Sequence, residues 1–245
     1  FRSRLKRGFK RAKLIGSHTP SILNICKEKK LNSAYQWIPF PIVLALKQKI
    51  KRSKLLKDLG LNISQNKKII FVPSRIDYEV KQQNIILDAF SSSDLDEYVL
   101  IFSGWGKDYK NLKNKSRKNK NIFFLEYCLS QIYLIEFFKI SDIVIDQFSG
   151  WAAYGTGFLE AVSTGCPVIT NIIEEDFVNI GWTPPPVINV KNKNELQNIF
   201  KKIKMKTINL SKISHELVLW LKQNHDSKVY SKMLLEKLQK ILDAV

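Results

Sequence analysis

The amino-acid sequence predicts an α/β fold: a parallel β-sheet with helices on both faces. Three observations support this prediction. Short apolar runs recur from residue 68 onward, segments with helical spacing lie between them, and the runs are apolar throughout rather than alternating. A strand without polar positions must be buried on both faces, as the strands of parallel sheets are, whereas one-sided antiparallel sheets give alternating patterns.

The predicted strands are short and are separated by predicted helices. Strands are expected at 68–73, 98–103, 121–125, 142–146, 167–170 and 187–190. Helices are expected at 82–90, 109–118, 130–140, 158–164, 194–203 and 211–242, the last one broken near 224–226. Because ligands bind at the carboxyl ends of the strands in such sheets, the loops that follow the strands are the places to search for a site.

Residues 1–45 have a different pattern. A basic helix is expected at 4–11, a short strand at 12–17 and a helix at 20–29, followed by the linker signal Pro39-Phe40-Pro41. The segment is too short to form a domain of its own. Since the chain begins with Phe1 rather than Met, we expect this segment to be the last part of a domain whose beginning is missing.

The chain is strongly basic, with 40 Lys and Arg against 22 Asp and Glu among 245 residues and a net charge of +18. Such a balance favours anionic partners: nucleic acids, anionic lipids or phosphorylated small molecules. The basic residues cluster at 2–13, 47–57 and 107–120. These clusters are either solvated helix faces or a surface that attaches to an anionic membrane. Few aromatic residues accompany them, so we do not expect nucleic-acid binding.

Three cysteines, Cys26, Cys128 and Cys166, lie far apart among apolar neighbours. Their number and spacing fit neither a disulfide framework nor a metal site, so each is predicted to be a small core residue in a reducing compartment. The histidines are also scattered, and no cofactor or metal site is expected. We expect a cytoplasmic protein, with peripheral attachment to the inner face of the membrane as a role for the basic clusters.

The most informative segment follows the fourth predicted strand. It contains Tyr154, Gly155, Thr156 and Gly157 and then enters a helix that carries a single carboxylate, Glu160. A glycine-rich turn before a helix binds anions because N–H groups are unpaired there and the helix dipole is positive. Glu160 can accept hydrogen bonds from hydroxyl groups of the same ligand; the alternative is a solvent-exposed helix glutamate. The segment predicts a nucleotide-sugar site.

Two further loops follow predicted strands of the same sheet. Arg75 and Lys81 follow the first strand, where they would neutralise a diphosphate. Alternatively, Arg75 forms a surface ion pair with an acidic residue of its own loop. Gly104-Trp105-Gly106 follows the second strand, either as a ligand-binding turn or as a plain tight turn.

The order of these motifs resembles the nucleotide-sugar domain of GT-B glycosyltransferases. The order is strand–Arg–Lys, strand–Gly-x-Gly, and strand–glycine turn–Glu-Ala-x-x-x-Gly-x-Pro-Val-Ile, within about residues 10–240. The chain most resembles the retaining group called family 4 (glycosyl transferases group 1), which includes glycogen-synthase-like, mannosyl- and glucosyltransferases. The resemblance implies a Rossmann-like sheet, the C-terminal half of a GT-B fold, and metal-independent transfer of a sugar from a nucleoside diphosphate sugar.

The resemblance also implies roles for individual residues. Arg75 and Lys81 would be catalytic, because they would stabilise the leaving diphosphate. Donor binding would involve Gly104, Gly106, Tyr127, Leu129, Tyr154, Gly155, Thr156, Gly157 and Glu160. Among these, Glu160 would hold the ribose. Tyr127 and Leu129, after the third strand, would contact the base, unless their loop only closes the core.

One position departs from the family pattern. Many members carry a further glutamate that contacts the transferred sugar, and Ala152 stands at the matching position here. Asp146, Gln147 or Tyr154 could take its place, or the chain could bind nucleotide sugars without catalysis. The sugar, the base, the acceptor and the oligomeric state are left open by the sequence.

Together these arguments predict three segments: a remnant of the acceptor domain with a linker at 1–45, a donor-binding Rossmann-like domain at 46–225, and a C-terminal helix at 226–245 that crosses back to the acceptor domain. The predicted function is a retaining hexosyltransferase for a saccharide or lipid-linked saccharide acceptor, in the synthesis of a cell-surface polysaccharide or glycolipid. The chain as given would be an incomplete enzyme. A non-catalytic nucleotide-sugar-binding domain and a basic nucleic-acid-binding module are the alternatives.

Overall fold

The computed structural model describes residues 2–30, 34–45, 51–148 and 153–243. The chain divides into two compact units. The small unit comprises Phe1–Val43, Ile173–Pro185 and Trp220–Val245, and the sheet unit comprises Leu44–Ile172 and Pro186–Leu219. Within the described ranges, no helix combines the length and the apolar character needed to cross a bilayer.

In the described part of the chain, the strands form two sheets, and all of their pairings are parallel. In chain order the strands are β1 Leu14–Ser17, β2 Ala34–Trp37, β3 Lys68–Val72, β4 Tyr98–Phe102, β5 Ile122–Phe124, β6 Ile143–Ile145, β7 Val168–Thr170 and β8 Ile188–Asn189. β1 pairs with β2 in the small unit. The other strands form a sheet of 6 strands in the order β5-β4-β3-β6-β7-β8.

Helices connect the strands of the larger sheet and make up most of the small unit. They are α1 Arg2–Arg11, α2 Pro20–Glu28, α3 Arg52–Asp58, α4 Gln83–Ser91, α5 Tyr109–Ser116, α6 Gln131–Ile140, α7 Thr156–Ser163, α8 Glu174–Val178, α9 Lys193–Lys204, α10 Leu210–Asn224 and α11 Ser227–Leu242. The predicted break between the last two helices is present. The side chain of Asp226 caps α11 by accepting the N–H of Lys228 at 2.9 Å.

The structure confirms the predicted α/β fold class. The predicted strands from residue 68 onward are all present, with ends that differ by no more than one residue. The predicted elements do not include β2, α3 or α8. The segment of β2 was interpreted as part of a linker because prolines follow it directly, and α8 is a short, acidic helix with only Phe177 buried. Helix α7 also begins two residues earlier than expected, at Thr156.

One prediction about the cysteines is wrong. Cys26 and Cys166 are buried, as expected for small core residues, but Cys128 is exposed. Cys128 lies in the loop after β5, at the edge of the sheet. Its neighbour Tyr127 is itself 50% exposed, so apolar neighbours in the sequence do not indicate burial here.

The core of the sheet unit lies on both faces of β3, the central strand. Ile69, Ile70, Phe71 and Val72 are fully buried. On one face, the ring of Phe71 packs on Phe137 of α6, with centroids 4.4 Å apart. On the other face, Ile70 and Val72 join a cluster with residues of α4 and α9. This burial on both faces explains why the strand has no polar position in its centre.

In the small unit, His225 holds the junction between α10 and α11 against the segment that follows β2. Nδ1 of His225 lies 2.7 Å from the carbonyl oxygen of Phe40, and the N–H of Ile42 donates to the carbonyl oxygen of His225 at 2.7 Å. The imidazole also packs on Trp220, with centroids 4.9 Å apart. The side chain is completely buried, and this burial lowers its pKa from 6.5 to about 4.

Acidification is therefore expected to destabilise the fold through His225. Between pH 6.5 and about 4, the unfolded chain binds a proton that the folded chain does not bind. As the pH is lowered, the free energy of unfolding should decrease by about 1.4 kcal/mol for each pH unit, on the order of 3 kcal/mol in total. Below the pKa of the folded state the free energy should level off. Urea denaturation of the wild type and of His225→Gln across this range measures the effect. The glutamine amide can still donate to Phe40, but it does not titrate. The free energy of unfolding of the variant should depend less steeply on pH than that of the wild type. If the two proteins show the same dependence, groups other than His225 cause it.

Candidate functional site

The order of the strands reverses at β3, and we call the region between the loops that follow β3 and β6 the crevice. From β3 the chain steps outward to β4 and β5, then returns to the other side of β3 with β6 and continues to β7 and β8. In parallel sheets, ligands bind outside the carboxyl ends of the strands at such a point. The loops that follow β3 and β6 border this crevice.

The loop after β3 is held in shape by a buried amide. Gln83, the first residue of α4, is fully buried. Its amide nitrogen donates to the carbonyl oxygen of Arg75 at 2.6 Å and to the hydroxyl of Ser74 at 2.9 Å, and its amide oxygen accepts the N–H of Asp77 at 3.0 Å. The conformation that presents Arg75 thus depends on Gln83. Sequence reasoning missed this residue, because a polar residue at the start of a helix normally faces solvent.

Arg75 is about half exposed and contacts an acidic residue of its own loop. Its Nε lies 3.7 Å from Oδ2 of Asp77, the ion pair considered as the alternative interpretation. Asp77 also lies 3.3 Å from Nζ of Lys107. Burial raises the pKa of Asp77, but hydrogen bonds from the N–H of Val80 and from Lys107 outweigh it, so the pKa is below its usual value. Because Arg75 is about half exposed and its contact with Asp77 is long, the ion pair does not prevent the guanidinium from binding a ligand.

Lys81 connects the two sides of the crevice. Its Nζ donates to Oε1 of Gln147, which follows β6. On the same boundary, the hydroxyl of Ser74 lies 3.4 Å from the carbonyl oxygen of Asp146. The carboxylate of Asp146 is 3% exposed, and burial raises its pKa against the opposing influence of the Lys81 charge and of the N–H of Gly155. A buried carboxylate, a neutral amide and an ammonium thus meet where the strand order reverses.

Helix α7 begins at the same crevice. Gly155 is its N-cap residue, and the N–H of Gly155 donates to Oδ2 of Asp146 at 3.1 Å. The next amides, of Thr156 and Gly157, have no acceptor within a helix of this geometry and lie at its positive end. A Cβ on Gly157 would meet nothing closer than Cγ of Pro73 at 3.8 Å, so the protein's own packing does not require a glycine there. The turn has the features of an anion-binding helix N-terminus.

Tyr154 supports this turn from the side. Its ring stacks on Phe158 of α7, with centroids 4.8 Å apart and an interplanar angle of 26°. Burial raises the pKa of Tyr154 well above its usual value, so it remains a neutral phenol. These contacts fix the chain where it enters the helix.

Glu160 lies on the same face of α7 as the first amides. Residues three and four apart are neighbours on a helix, which places Glu160 beside Gly157 and Thr156. Its carboxylate is half-buried, and burial raises its pKa, while a hydrogen bond of 3.3 Å from the side-chain amide of Gln131 acts in the opposite direction. Gln131, the first residue of α6, is a second contact that sequence reasoning missed. A partly shielded carboxylate in this position can accept hydrogen bonds from ligand hydroxyls.

The turn Gly104-Trp105-Gly106 joins three loops. A Cβ on Gly104 would overlap the carbonyl group of Leu125, and Gly106, with φ +123°, would overlap the backbone of Ile76. The carbonyl oxygen of Trp105 accepts the N–H of Ile76 at 2.8 Å. The close approach of backbones therefore explains both glycines by itself, and direct contact of these glycines with a ligand stays a prediction.

Two exposed aromatic side chains lie on adjoining loops at this edge. Trp105 is 43% exposed and Tyr127 is 50% exposed, while Leu129 is partly buried. Their loops touch through the backbone contact between Gly104 and Leu125. Sequence reasoning did not single out Trp105, which nevertheless has the exposed ring that stacking on a base would need.

The predicted site residues all follow four adjacent strands, β5, β4, β3 and β6. The structure brings Lys81 and the start of α7 to the same crevice, whereas Tyr127 and Leu129 lie further along the edge, after β5. Ala152, the departure from the family pattern, lies within 149–152, outside the described residues. Among the residues that are described, no group of three or more His, Cys, Asp or Glu is placed to hold a metal ion.

The sheet and its reversal define a Rossmann-like domain of the GT-B fold. The chain aligns with HepE of Anabaena, solved in complex with UDP-glucose, with a TM-score of 0.74 and 18% identity over 98% of this chain and 68% of that one. It aligns with sucrose-phosphate synthase from Thermosynechococcus elongatus with a TM-score of 0.75 and 14% identity, over 100% and 63%. For a glycosyltransferase from Rickettsia africae, the TM-score is 0.72 and the identity 18%, over 98% and 67%.

The chain thus spans between 63% and 68% of the length of these proteins, and at these identities the likeness concerns the fold. A more specific likeness comes from the sequence. The profile of the family described as Glycosyl transferases group 1 matches residues 57–174, which contain the loops after β3, β4, β5 and β6 together with α7. No curated protein matches the chain. Residues 57–174 thus match the profile of this glycosyltransferase family, which confirms the resemblance carried by the motifs.

Proposed function

We propose that this chain carries the donor-binding part of a retaining glycosyltransferase that uses a nucleoside diphosphate sugar. The observation that carries the proposal is the meeting of Lys81, the Arg75 loop and the first amides of α7 at the reversal of strand order. Lys81 and the helix N-terminus lie at one crevice, and the loop after β3 carries a second cationic side chain, Arg75. These groups suit a ligand with two adjacent phosphates better than one with a single charge.

In the proposed reaction, the bond between the sugar and the diphosphate breaks, and negative charge develops on the diphosphate oxygen that leaves. The acceptor oxygen forms the new bond to the same sugar carbon, and the proton of its hydroxyl passes to the departing diphosphate. Arg75 can bind phosphate oxygens with two parallel N–H groups, and Lys81 adds a mobile point charge. The amides of Thr156 and Gly157 add dipoles that need no reorganisation during the reaction. Because the positive charge comes from side chains and amides, we propose that the transfer needs no metal ion.

The remaining predicted residues complete the donor site. Glu160, on the same face of α7 as the first amides, would accept hydrogen bonds from the two ribose hydroxyls. Tyr127 and Leu129 would contact the base, with Trp105 as a further stacking surface. HepE, one of the similar structures, was solved with UDP and glucose, which supports a nucleoside diphosphate and a hexose as the first candidates here.

The acceptor and the cellular role extend the proposal beyond the donor. We propose that a hexose is transferred to the hydroxyl of a saccharide or lipid-linked saccharide, in the synthesis of a surface polysaccharide or glycolipid. The basic clusters, such as the one in α1, favour an acceptor or membrane surface that carries negative charge. The same positive charge would also suit a nucleic-acid-binding module, so binding experiments must include an oligonucleotide.

Replacing Glu160 with glutamine tests the donor site directly. The substitution keeps the shape of the side chain but removes the charge, and we expect the affinity for UDP or GDP to fall about 10- to 100-fold, because charged hydrogen bonds to the ribose are lost. The nucleotide without ribose 2′ and 3′ hydroxyls should bind both proteins equally. Calorimetric titration of both nucleotides gives these affinities.

Glu136→Gln is the matched control, since Glu136 lies on the neighbouring α6 and pairs with Lys139 at 3.2 Å. This variant should bind nucleotide like the wild type. A wild-type chain that binds a single-stranded oligonucleotide tightly and neither UDP nor GDP would overturn the proposed function in favour of the nucleic-acid-binding module.

A further inference from the structure

The contact between Lys81 and Gln147 crosses the reversal of strand order. Lys81 belongs to the loop after β3 and Gln147 to the loop after β6. The acceptor for the ammonium is the amide oxygen of Gln147, whose side chain is 3% exposed. The backbone of Gln147 is held as well, because its carbonyl oxygen accepts the N–H of Asn171 at 2.9 Å and lies 3.2 Å from the hydroxyl of Thr170. The partner of Lys81 is thus a fixed group on the opposite wall of the crevice.

The chemical type of this acceptor matters. A carboxylate that contacts a lysine forms an ion pair and cancels most of its field, whereas an amide oxygen holds the ammonium and leaves its charge in place. The structure offers a carboxylate one residue earlier, at Asp146. That carboxylate is engaged by the N–H of Gly155, at 3.1 Å, and acts on Lys81 only through space. The side chain in direct contact with the ammonium of Lys81 is therefore the neutral amide of Gln147.

We propose that Gln147 is a positioning residue that holds the ammonium of Lys81 in the crevice without forming an ion pair with it, so that its charge remains available to a diphosphate. This inference rests on the proposed function, because it assumes that a diphosphate binds there. It adds a specific requirement: the residue after Asp146 must accept a hydrogen bond and must carry no charge. Glutamine meets both conditions, while glutamate meets only the first and alanine only the second.

Gln147→Glu tests the requirement, because glutamate has almost the same shape as glutamine. The variant is expected to lower the affinity for UDP or GDP about 10- to 100-fold, since a carboxylate beside Lys81 repels a phosphate and also forms an ion pair with Lys81. Gln147→Ala, which loses the acceptor without adding charge, should lower the affinity only several-fold. Uridine and guanosine, which have no phosphates, should bind all three proteins equally.

Gln197→Glu serves as the matched control. It adds the same charge to the same unit on α9, where Gln197 donates to the hydroxyl of Ser92 at 2.7 Å, and its affinity for the nucleoside diphosphates should equal that of the wild type. NMR titrations suit the range of affinities, and circular dichroism verifies the fold of each variant.

The outcomes separate the two proposals. If the wild type binds neither UDP nor GDP, the proposed function and this inference both fail. If the wild type binds a nucleoside diphosphate and Gln147→Glu binds it equally well, the inference alone fails. It also fails if the affinities of Gln147→Glu for nucleoside and nucleoside diphosphate fall to the same extent, because Gln147 is then structural. The inference is supported if only the affinity for the nucleoside diphosphate falls, and if it falls from the wild type to Gln147→Ala and further to Gln147→Glu.

Discussion

Replacing Gly104 with alanine is expected to destabilise the protein by about 3 kcal/mol or more, because a methyl group at this position has no space to occupy. It would overlap the carbonyl group of Leu125 and approach the backbone of Glu126. Backbone atoms cannot rotate away as a side chain can, so the loops after β4 and β5 would have to separate. Both loops lie at the edge of the sheet that carries the predicted site. Nucleotide binding should therefore be lost together with stability.

Gly157→Ala also replaces a glycine with alanine, but at a position where the added methyl group has space. The nearest atom to the added methyl group is Cγ of Pro73, at 3.8 Å, and Gly157 lies in the first turn of α7. Since alanine is favoured over glycine in helices by up to about 1 kcal/mol, this variant should be as stable as the wild type or slightly more stable. Urea denaturation compares the three proteins. Equal midpoints for Gly104→Ala and Gly157→Ala would show that the loops separate at little cost.

Removing either cationic side chain of the loop after β3 is expected to have a large effect on ligand binding. Lys81→Met and Arg75→Gln keep the approximate length of each side chain and remove its charge. Each should weaken the binding of a nucleoside diphosphate about 10- to 100-fold, which corresponds to the loss of one or two charged hydrogen bonds. In the complete enzyme, turnover should fall further, by about 100- to 1,000-fold, because charge on the diphosphate is greatest during bond breaking.

The control for this pair is Lys68→Met. Lys68 lies at the other end of β3, where it pairs with Glu97 at 3.2 Å, so the change in net charge is the same but the crevice is untouched. Calorimetric titration of all variants should leave Lys68→Met at the wild-type affinity. The Arg75 variant is also decisive for the alternative interpretation. If Arg75 served only Asp77, Arg75→Gln would alter stability slightly and leave nucleotide affinity unchanged.

The sheet was predictable from the sequence because its strands carry the signal themselves. The inner strands β3, β4, β6 and β7 are almost completely buried, so each appears as an apolar run, as 69–72 does. The glycine turn before α7 was predictable for a similar reason, since the turn chemistry and the helix lie next to each other in the chain. The missed elements lack such local signals. β2 stands directly before prolines, and α8 is short and acidic.

The site was predictable as a set of loops but not as a set of contacts. Arg75, Lys81 and Glu160 follow strand ends, which the sequence reveals. That Lys81 reaches Gln147 depends on β6 lying beside β3, and no local pattern records the order of strands in a sheet. Gln83 illustrates the same limit, because its three hydrogen bonds to the loop that presents Arg75 exist only in the folded loop.

The central position of β3 has a consequence for how the protein reaches its native state. Within β3, Ile70 pairs on one side with Leu100 and on the other with Ile143, so the second pairing closes a much longer stretch of chain. Closing the longer loop costs more entropy, which favours early formation of the half that contains β3, β4 and β5. The crevice has one wall from each half and exists only after the halves have joined. A ligand that contacts both Lys81 and the start of α7 would therefore bind only after the two halves have joined. Its binding energy would add to the free energy of unfolding of the whole sheet.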